Sequence, residues 1–550
     1  MTLTRALGGL LLLLLLIPSA WFAWSVRDQP QLGAFHDDSL YYVAARSLAQ
    51  GEGYRIASFP GAPYQTKYPP AFAGLLSLAW RLEPRFPQNL VWATLLAWLA
   101  VPVFLLLSWR LFADFGFPRW LEAVLCAALA LNPWVVNCSA RLITELWFAS
   151  ELLAVSLLLA RAARPEARWP LAAAAGALGG LAALTRTAAL PMLLAGAAFL
   201  LLRRRRTQAA AFALAMLPAV AAWQWWAAAR ATAAGGDVIT TYYTSYLGFH
   251  FLNVTAGLLP KLFWVNLTTL VSETGSLLAF SFNDTTFRLQ FSRLVAAGAI
   301  VGTVRLARRQ GLSPMHLFAP LYIGMLLGWH FPPVDRLLLP LAPLLAAGLA
   351  FELQHLCRML GLSLRSPLRS QRVAGRAVAA ALAAAGAMVL VTTWWGLTAF
   401  LPALTRAWRQ EFAARAASYR WIVDNLPRDA RILAYQDPVL HLYTGRQGCR
   451  IPAMPGHIYR GDMAAARAHF LRFVDLARAR GLDYVLLTAS DLAMGELPQA
   501  ERKRWFDRAR SHPELQLLYS GAGVWVYRVR PAASASAAVI SPPAARRGRS

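Results

Sequence analysis

Lysine is almost missing from this chain: Lys67, Lys261 and Lys503 stand among 54 basic residues in 550. Acidic residues are scarce too, 27 in all, so the formal net charge of +27 is carried by arginine. Cysteine is limited to Cys126, Cys138, Cys357 and Cys449. Their spacing fits no metal-ligand pattern, and only a Cys138–Cys449 bridge stays open. No internal repeat is present. Apolar residues, by contrast, make up 57% of the chain, with a mean hydropathy of +0.43. This excludes a soluble globule and places the chain in the polytopic α-helical membrane class.

Apolar runs near the length that crosses hydrocarbon lie at about 6–26, 88–109, 118–136, 143–160, 170–185, 187–202, 207–228, 290–306, 314–331, 336–356 and 376–399. They predict about eleven spans, in a range of roughly 10–13. The first is read as a retained anchor rather than a cleaved signal peptide, because its apolar character continues through Trp21, Phe22 and Trp24. With the N-terminus inside, the inner loops hold Arg110 and Arg119, then Arg161, Arg164 and Arg168, then Arg203 to Arg206. Further along they hold Arg305, Arg308 and Arg309, and last Arg358, Arg365, Arg369, Arg372 and Arg376. The outer loops hold isolated residues such as Arg141, Arg186 and Arg336. This is the positive-inside pattern. The charge is therefore topological and spread over many loops, which sets a nucleic-acid role aside. The arginine- and alanine-rich composition looks bacterial, so the expected location is the cytoplasmic (inner) membrane.

Three polar regions then share the outer side. They are a first loop at 27–87, a second at 229–289, and a C-terminal α/β domain at 401–530 that follows the membrane part, 1–400. The segment near 258–282 is amphipathic and is expected to lie on the membrane. The tail 531–550, rich in Ala, Ser and Pro, is expected to be disordered.

The first loop is too long and too polar for a mere connector. Between His36 and Pro70 it gathers Asp37, Asp38, Lys67 and five tyrosines. The spacing predicts a helix over 38–50 lying along the interface, capped by Asp37 or Asp38 and ended by Gly51 and Gly53. A second helix begins after Tyr68-Pro69-Pro70. Neighbouring carboxylates on a helix do not face the same way, so at most one points into a given cleft. A carboxylate beside a like charge and partly desolvated is tuned toward general-base work, although a DD pair standing alone reads as a cap. A lysine on the same loop suits an anionic phosphate leaving group; an interfacial anchor is the plainer reading. Arg186, Glu145, Asp335 and Arg336 are ionisable residues at the ends of spans, where they either line a cavity or pair with one another. His250 and His330 read as interfacial residues rather than metal ligands. Tyr41, Tyr42, Tyr54 and Tyr68 could stack on a substrate or form a headgroup-level belt, and the belt is preferred for most.

In this order the motifs resemble the GT-C membrane glycosyltransferases. They run Asp37-Asp38 with Tyr41-Tyr42, Lys67-Tyr68-Pro69-Pro70, Glu145, Leu184-Thr185-Arg186, and Asp335-Arg336 ahead of Pro340 and Pro343. The branch that looks nearest includes protein mannosyltransferases, the aminoarabinose transferase of lipid A and rhizobial core transferases. The resemblance implies that Asp37 is the catalytic acid/base position and that Asp38, where the family often has Glu, belongs to the catalytic pair with it. Lys67, Arg336 and Arg186 would contact the donor phosphate, and Glu145, Asp335 and Tyr68 would order the cavity. It also implies a polyprenyl-phosphate-linked sugar donor and inversion in one displacement. The recipient, whether lipid, glycan or protein, stays open, as does any need for a divalent metal. The rival readings are a transporter or flippase and a noncatalytic assembly subunit.

Overall fold

The computed structural model describes residues 2–231, 237–282, 284–489, 491 and 499–530. The tail from 531 lies outside the described residues. Among the described residues, six helices are by length and composition long and apolar enough to cross a membrane, or up to eight if each of two bent helix pairs is one span. Four shorter apolar helices, Ala71–Leu82, Trp169–Thr185, Thr187–Leu202 and Pro314–Leu327, accompany them. The run expected at 118–136 is broken into Arg119–Ala130 and Pro133–Ser139, bent by 60°. The break is local chemistry. The Asn132 side chain caps the second helix by accepting from the Trp134 and Val135 N–H groups, and Pro133 takes a first-turn position where no N–H is needed.

Close helix approach holds the bundle where apolar contact alone is weak in lipid. The helices Thr286–Gln310 and Ala342–Leu364 cross at Gly302 and Gly348. A Cβ at Gly302 would sit 1.9 Å from the Gly348 carbonyl oxygen, and one at Gly348 would sit 2.1 Å from the Thr303 hydroxyl. Arg305 and Glu352 pair at 2.8 Å along the same contact. The helix Leu259–Ala279 is tied to the ends of two others: Asn266 donates to the Leu327 and Trp329 carbonyls at 3.0 and 2.8 Å, and Asn132 donates to the Leu277 carbonyl at 2.5 Å. The charge pattern assigns both of those helix ends to one side.

Helix Arg369–Trp395 continues through a π-turn, Gly396–Phe400, into Leu401–Asn425, so the final apolar run and the first helix of the C-terminal domain form one rod. The domain carries a five-stranded sheet in the order β2-β1-β3-β5-β4. The strands are β1 (Arg431–Ala434), β2 (Gln447–Cys449), β3 (Tyr484–Thr488), β4 (Leu515–Gly521) and β5 (Val524–Val529). β1 runs parallel to both β2 and β3, and the β4–β5 hairpin joins antiparallel to β3. β2, only three residues long, leaves no period-2 signature in the sequence. Between β2 and β3 the helices Met463–Leu471 and Phe473–Ala479 follow one another.

In the first loop the helix Asp37–Ala49 forms as the spacing predicts, with Ala71–Leu82 after the double proline. Its surroundings differ from the expectation. Nine of its thirteen residues are buried, so it is not a surface-lying amphipathic helix with a wet face. Tyr41, Tyr42, Tyr54 and Tyr68 are 3, 0, 6 and 5% exposed and belong to a packed core rather than a headgroup belt. The cause is cover. This core is continuous with that of the C-terminal domain, reaching Tyr419, Ile432 and Leu440.

Candidate active site

Two helix starts, where the exposed N–H groups favour negative charge, supply the carboxylates. Asp37 and Asp38 open the helix Asp37–Ala49, and Glu145 opens Glu145–Ala162. Arg186 follows the last residue of Trp169–Thr185 with extended backbone, and Arg336 stands in the 3-10 run Asp335–Leu341. The four side chains of Asp37, Arg336, Glu145 and Arg186 form one chain of ion pairs. Both terminal nitrogens of Arg336 donate to Asp37 Oδ2 at 3.2 Å. Arg336 also pairs with Glu145 Oε1 at 3.2 Å, and Arg186 donates to that oxygen and to the Thr144 hydroxyl at 2.8 Å each. The Arg336 guanidinium lies 4.1 Å from the Phe35 ring centroid, with Arg141 at 4.6 Å from the same ring. Asp335 leaves Arg336 free to reach across: its carboxylate accepts from the Arg336 backbone N–H at 2.8 Å.

The adjacent aspartates divide. Asp38 is 1% exposed and turns into the backbone, accepting from Gly33 N–H at 3.1 Å and from Ser39 N–H at 2.5 Å. Burial, and the Asp37 charge beside it, push its carboxyl up to about 7, against the pull of those N–H groups and of Arg141. We therefore assign Asp38 to holding the loop rather than to the chemistry expected of it. Neither aspartate is the N-cap; His36 is. Asp38→Ala strands the Gly33 and Ser39 N–H groups, so it is expected to destabilise the fold by about 1–3 kcal/mol. A thermal melt of the detergent-purified variant checks this.

Lys67 is 6% exposed. Its Nζ donates to the Tyr242 carbonyl at 2.6 Å and lies 4.3, 4.9 and 5.3 Å from the ring centroids of Tyr242, Tyr246 and Tyr68. Of its three donors, one is taken. Burial pulls its pKa down to about 7, opposed by Asp37 and reinforced by Arg450. Beside it, Tyr41, Tyr68, Arg186, Tyr246, Tyr322 and Trp329 line a hollow of about 50 Å³. Tyr68 packs on Tyr41 at 4.9 Å and edge-on to Tyr246 at 5.4 Å.

The structure thus brings together Asp37, Glu145, Arg186 and Arg336, with Lys67 and Tyr68 alongside. Arg336 is occupied by two carboxylates, whereas Lys67 and Arg186 keep unfilled donors. His330 packs against Phe249 and His250 in an aromatic cluster. All four cysteines are free, so the Cys138–Cys449 bridge is not formed. Sequence reasoning passed over Tyr242 and Tyr246, whose only signal is the polar run TTYYTSY in the second loop, and Arg141, His36 and Asp437.

No family model matches the chain, and no curated protein matches it. Solved structures do. ArnT from Cupriavidus metallidurans bound to undecaprenyl phosphate is 14% identical, with 93% of this chain and 97% of that one covered and a TM-score of 0.53. The oligosaccharyltransferase of Archaeoglobus fulgidus in its apo form is 14% identical, with 94% and 74% covered and a TM-score of 0.50.

Proposed function

We propose that this chain, which has the fold of the GT-C membrane glycosyltransferases, transfers a sugar from a polyprenyl phosphate to an acceptor hydroxyl at the outer face of the cytoplasmic membrane. The observation that carries this reading is the site's charge balance. In the ion-pair chain Arg186 and Arg336 balance Asp37 and Glu145, and Lys67, whose hydrogen bond goes to a carbonyl and not to a carboxylate, offers its ammonium to an anionic ligand. In this reading Asp37 takes the proton of the acceptor hydroxyl. The hydroxyl oxygen attacks the anomeric carbon from the face opposite the phosphate, the carbon–phosphate oxygen bond breaks, and the electron pair leaves with the polyprenyl phosphate. One displacement inverts the centre. Lys67 and Arg186 receive the developing phosphate charge, and Arg336 orients Asp37 while Glu145 orders both arginines. A lipid-borne donor suits a site on the outer side, where cytoplasmic nucleotide sugars do not reach.

An apolar groove of about 420 Å³ supports a lipid donor. It runs along the helices Arg119–Ala130 and Ala342–Leu364, lined by residues from Trp120 to Cys357, and begins six residues after Arg336 at Ala342. Ala350 is a small wall residue, 7% exposed. Ala350→Phe is expected to raise the donor KM several-fold while kcat at saturation holds, measured by steady-state transfer with a radiolabelled donor.

The decisive experiment supplies purified protein in nanodiscs with a labelled polyprenyl-phosphate sugar and a set of lipid, glycan and peptide acceptors. Transfer that disappears in Asp37→Asn is the expected result. Movement of the labelled lipid between leaflets without sugar transfer would point to a transporter and overturn the proposal.

A further inference from the structure

Asp37 follows a strained residue. His36 has φ 64° and ψ −43°, and the Asp37 N–H donates to the Phe35 carbonyl at 2.7 Å across it. That is a three-residue turn of the positive-φ kind, rare and costly for a residue with a Cβ. Something must hold it. The His36 ring is 3% exposed and is gripped on both nitrogens: Nε2 lies 3.1 Å from Asp437 Oδ1, and Nδ1 lies 3.1 Å from the Tyr242 hydroxyl. Tyr243 donates to the same Asp437 oxygen at 2.6 Å, and the Arg450 N–H donates to the Tyr243 hydroxyl at 3.0 Å.

The place of Asp437 in its domain gives this contact meaning. β1 lies between two parallel neighbours, and the chain leaves it toward β2 on one side and returns to β3 on the other. In doubly wound α/β sheets a ligand binds in the crevice outside the carboxyl end of the strand where the order reverses. Here Asp437 follows β1 by three residues and opens the helix Asp437–Thr444. The His36 ring meets the start of that helix through Asp437, while the crevice at the carboxyl ends of β1 and β3 is lined by Leu433, Tyr435, Leu486, Leu487 and Asp491. The seat around the ring is fitted. A Cβ on Gly33 would come within 2.7 Å of Val439 and 2.9 Å of Gln436, and the Gly448 N–H donates to the Ser58 carbonyl at 2.8 Å.

We propose that His36 and Asp437 are positioning residues: the C-terminal domain grips the His36 ring through Asp437, holds the strained turn closed, and so fixes the direction of the Asp37 carboxylate. Tyr242 extends the same control to the leaving-group side, since its hydroxyl meets His36 while its carbonyl holds Lys67. The inference rests on the reading of Asp37 as the base.

The test uses the full-length protein in nanodiscs with the labelled polyprenyl-phosphate sugar. His36→Gly removes the ring and accepts the positive φ at no steric cost, but it leaves a buried cavity and takes a partner from Asp437 and Tyr242, so its melting temperature is expected to fall and its kinetics are read well below that temperature. Its kcat is expected to fall by about 10- to 100-fold, the scale of a small misplacement of a reacting group, with the donor KM within about threefold. Asp437→Ala should show the same split, and Asp437→Asn, which keeps an acceptor oxygen in place, should recover most of the loss. His36→Gly retaining more than half of wild-type kcat would overturn the inference. So would Asp437→Ala and Asp437→Asn losing kcat equally, or a loss that follows the melting temperature alone. Asp37→Asn is run in parallel. If it is dead while His36→Gly is active, only the positioning role fails; if it is active, the reading of Asp37 fails and takes this role with it.

Discussion

Asp37→Asn is expected to lower kcat by about 100- to 10,000-fold, the contribution typical of a positioned general base. The substitution is nearly isosteric, and an amide oxygen still accepts from Arg336, so the loop stays in place. What goes is the capacity to receive a proton. The charge balance shifts as well. With Asp37 neutral, Glu145 is the one carboxylate still ion-paired to Arg186 and Arg336, and the lost negative charge favours an anionic donor. The donor KM is therefore expected to stay level or fall while kcat collapses. A mutation that merely broke the site would raise KM. Steady-state kinetics with varied donor separates the two, because an interaction made only in the transition state leaves ground-state affinity untouched. Asp38→Asn supplies the contrast. Its carboxylate faces backbone N–H groups, so its cost is expected in the melting temperature and not in kcat beyond a few-fold.

The difference between these two neighbours was only partly legible in the chain. Helix geometry required that Asp37 and Asp38 point apart, but nothing local said which one faced Arg336, 299 residues away. The gathering of Asp37, Glu145, Arg186 and Arg336 was readable for a general reason. Ionisable residues at the ends of apolar runs have few places to go, and the arginine pattern assigned all four to one side. The partner of Lys67 was not readable, because a backbone carbonyl such as that of Tyr242 leaves no trace in residue type. The tyrosines mislead for a related reason. An amphipathic ring near an interface satisfies either a headgroup belt or a buried core, and the choice falls to whatever covers it. Here the cover comes from Tyr419, Ile432 and Leu440, almost 400 residues downstream of Tyr41 and Tyr42. His36 was hidden in plain view, since a positive φ at a histidine follows from contacts with Asp437 and Tyr242 and from no local preference.

Lys67→Met is expected to cost about 100- to 1,000-fold in kcat and to make the protein more stable. On the proposed mechanism, the first effect follows from removing a donor for the charge that develops on the leaving phosphate. The second follows from burial, since the ammonium meets one carbonyl and three aromatic rings where a methionine of similar length packs without desolvation. The pH dependence has a definite sign. The folded pKa of about 7 lies below the unfolded value of roughly 10.4, so between them the unfolded chain binds more protons and stability rises with pH in wild type relative to Lys67→Met. Activity runs the other way. The ammonium is lost as pH rises through about 7, and kcat/KM, which reports the free enzyme, is expected to fall on that limb. A bound phosphate restores the charge, so the alkaline limb of kcat should lie at higher pH than that of kcat/KM. Lys67→Arg keeps its charge throughout and should flatten both limbs at a lower plateau, because a planar fork does not reproduce a compact ammonium. An alkaline limb unchanged in Lys67→Arg would show that another group sets it, and the phosphate contact assigned to Lys67 would have to be withdrawn.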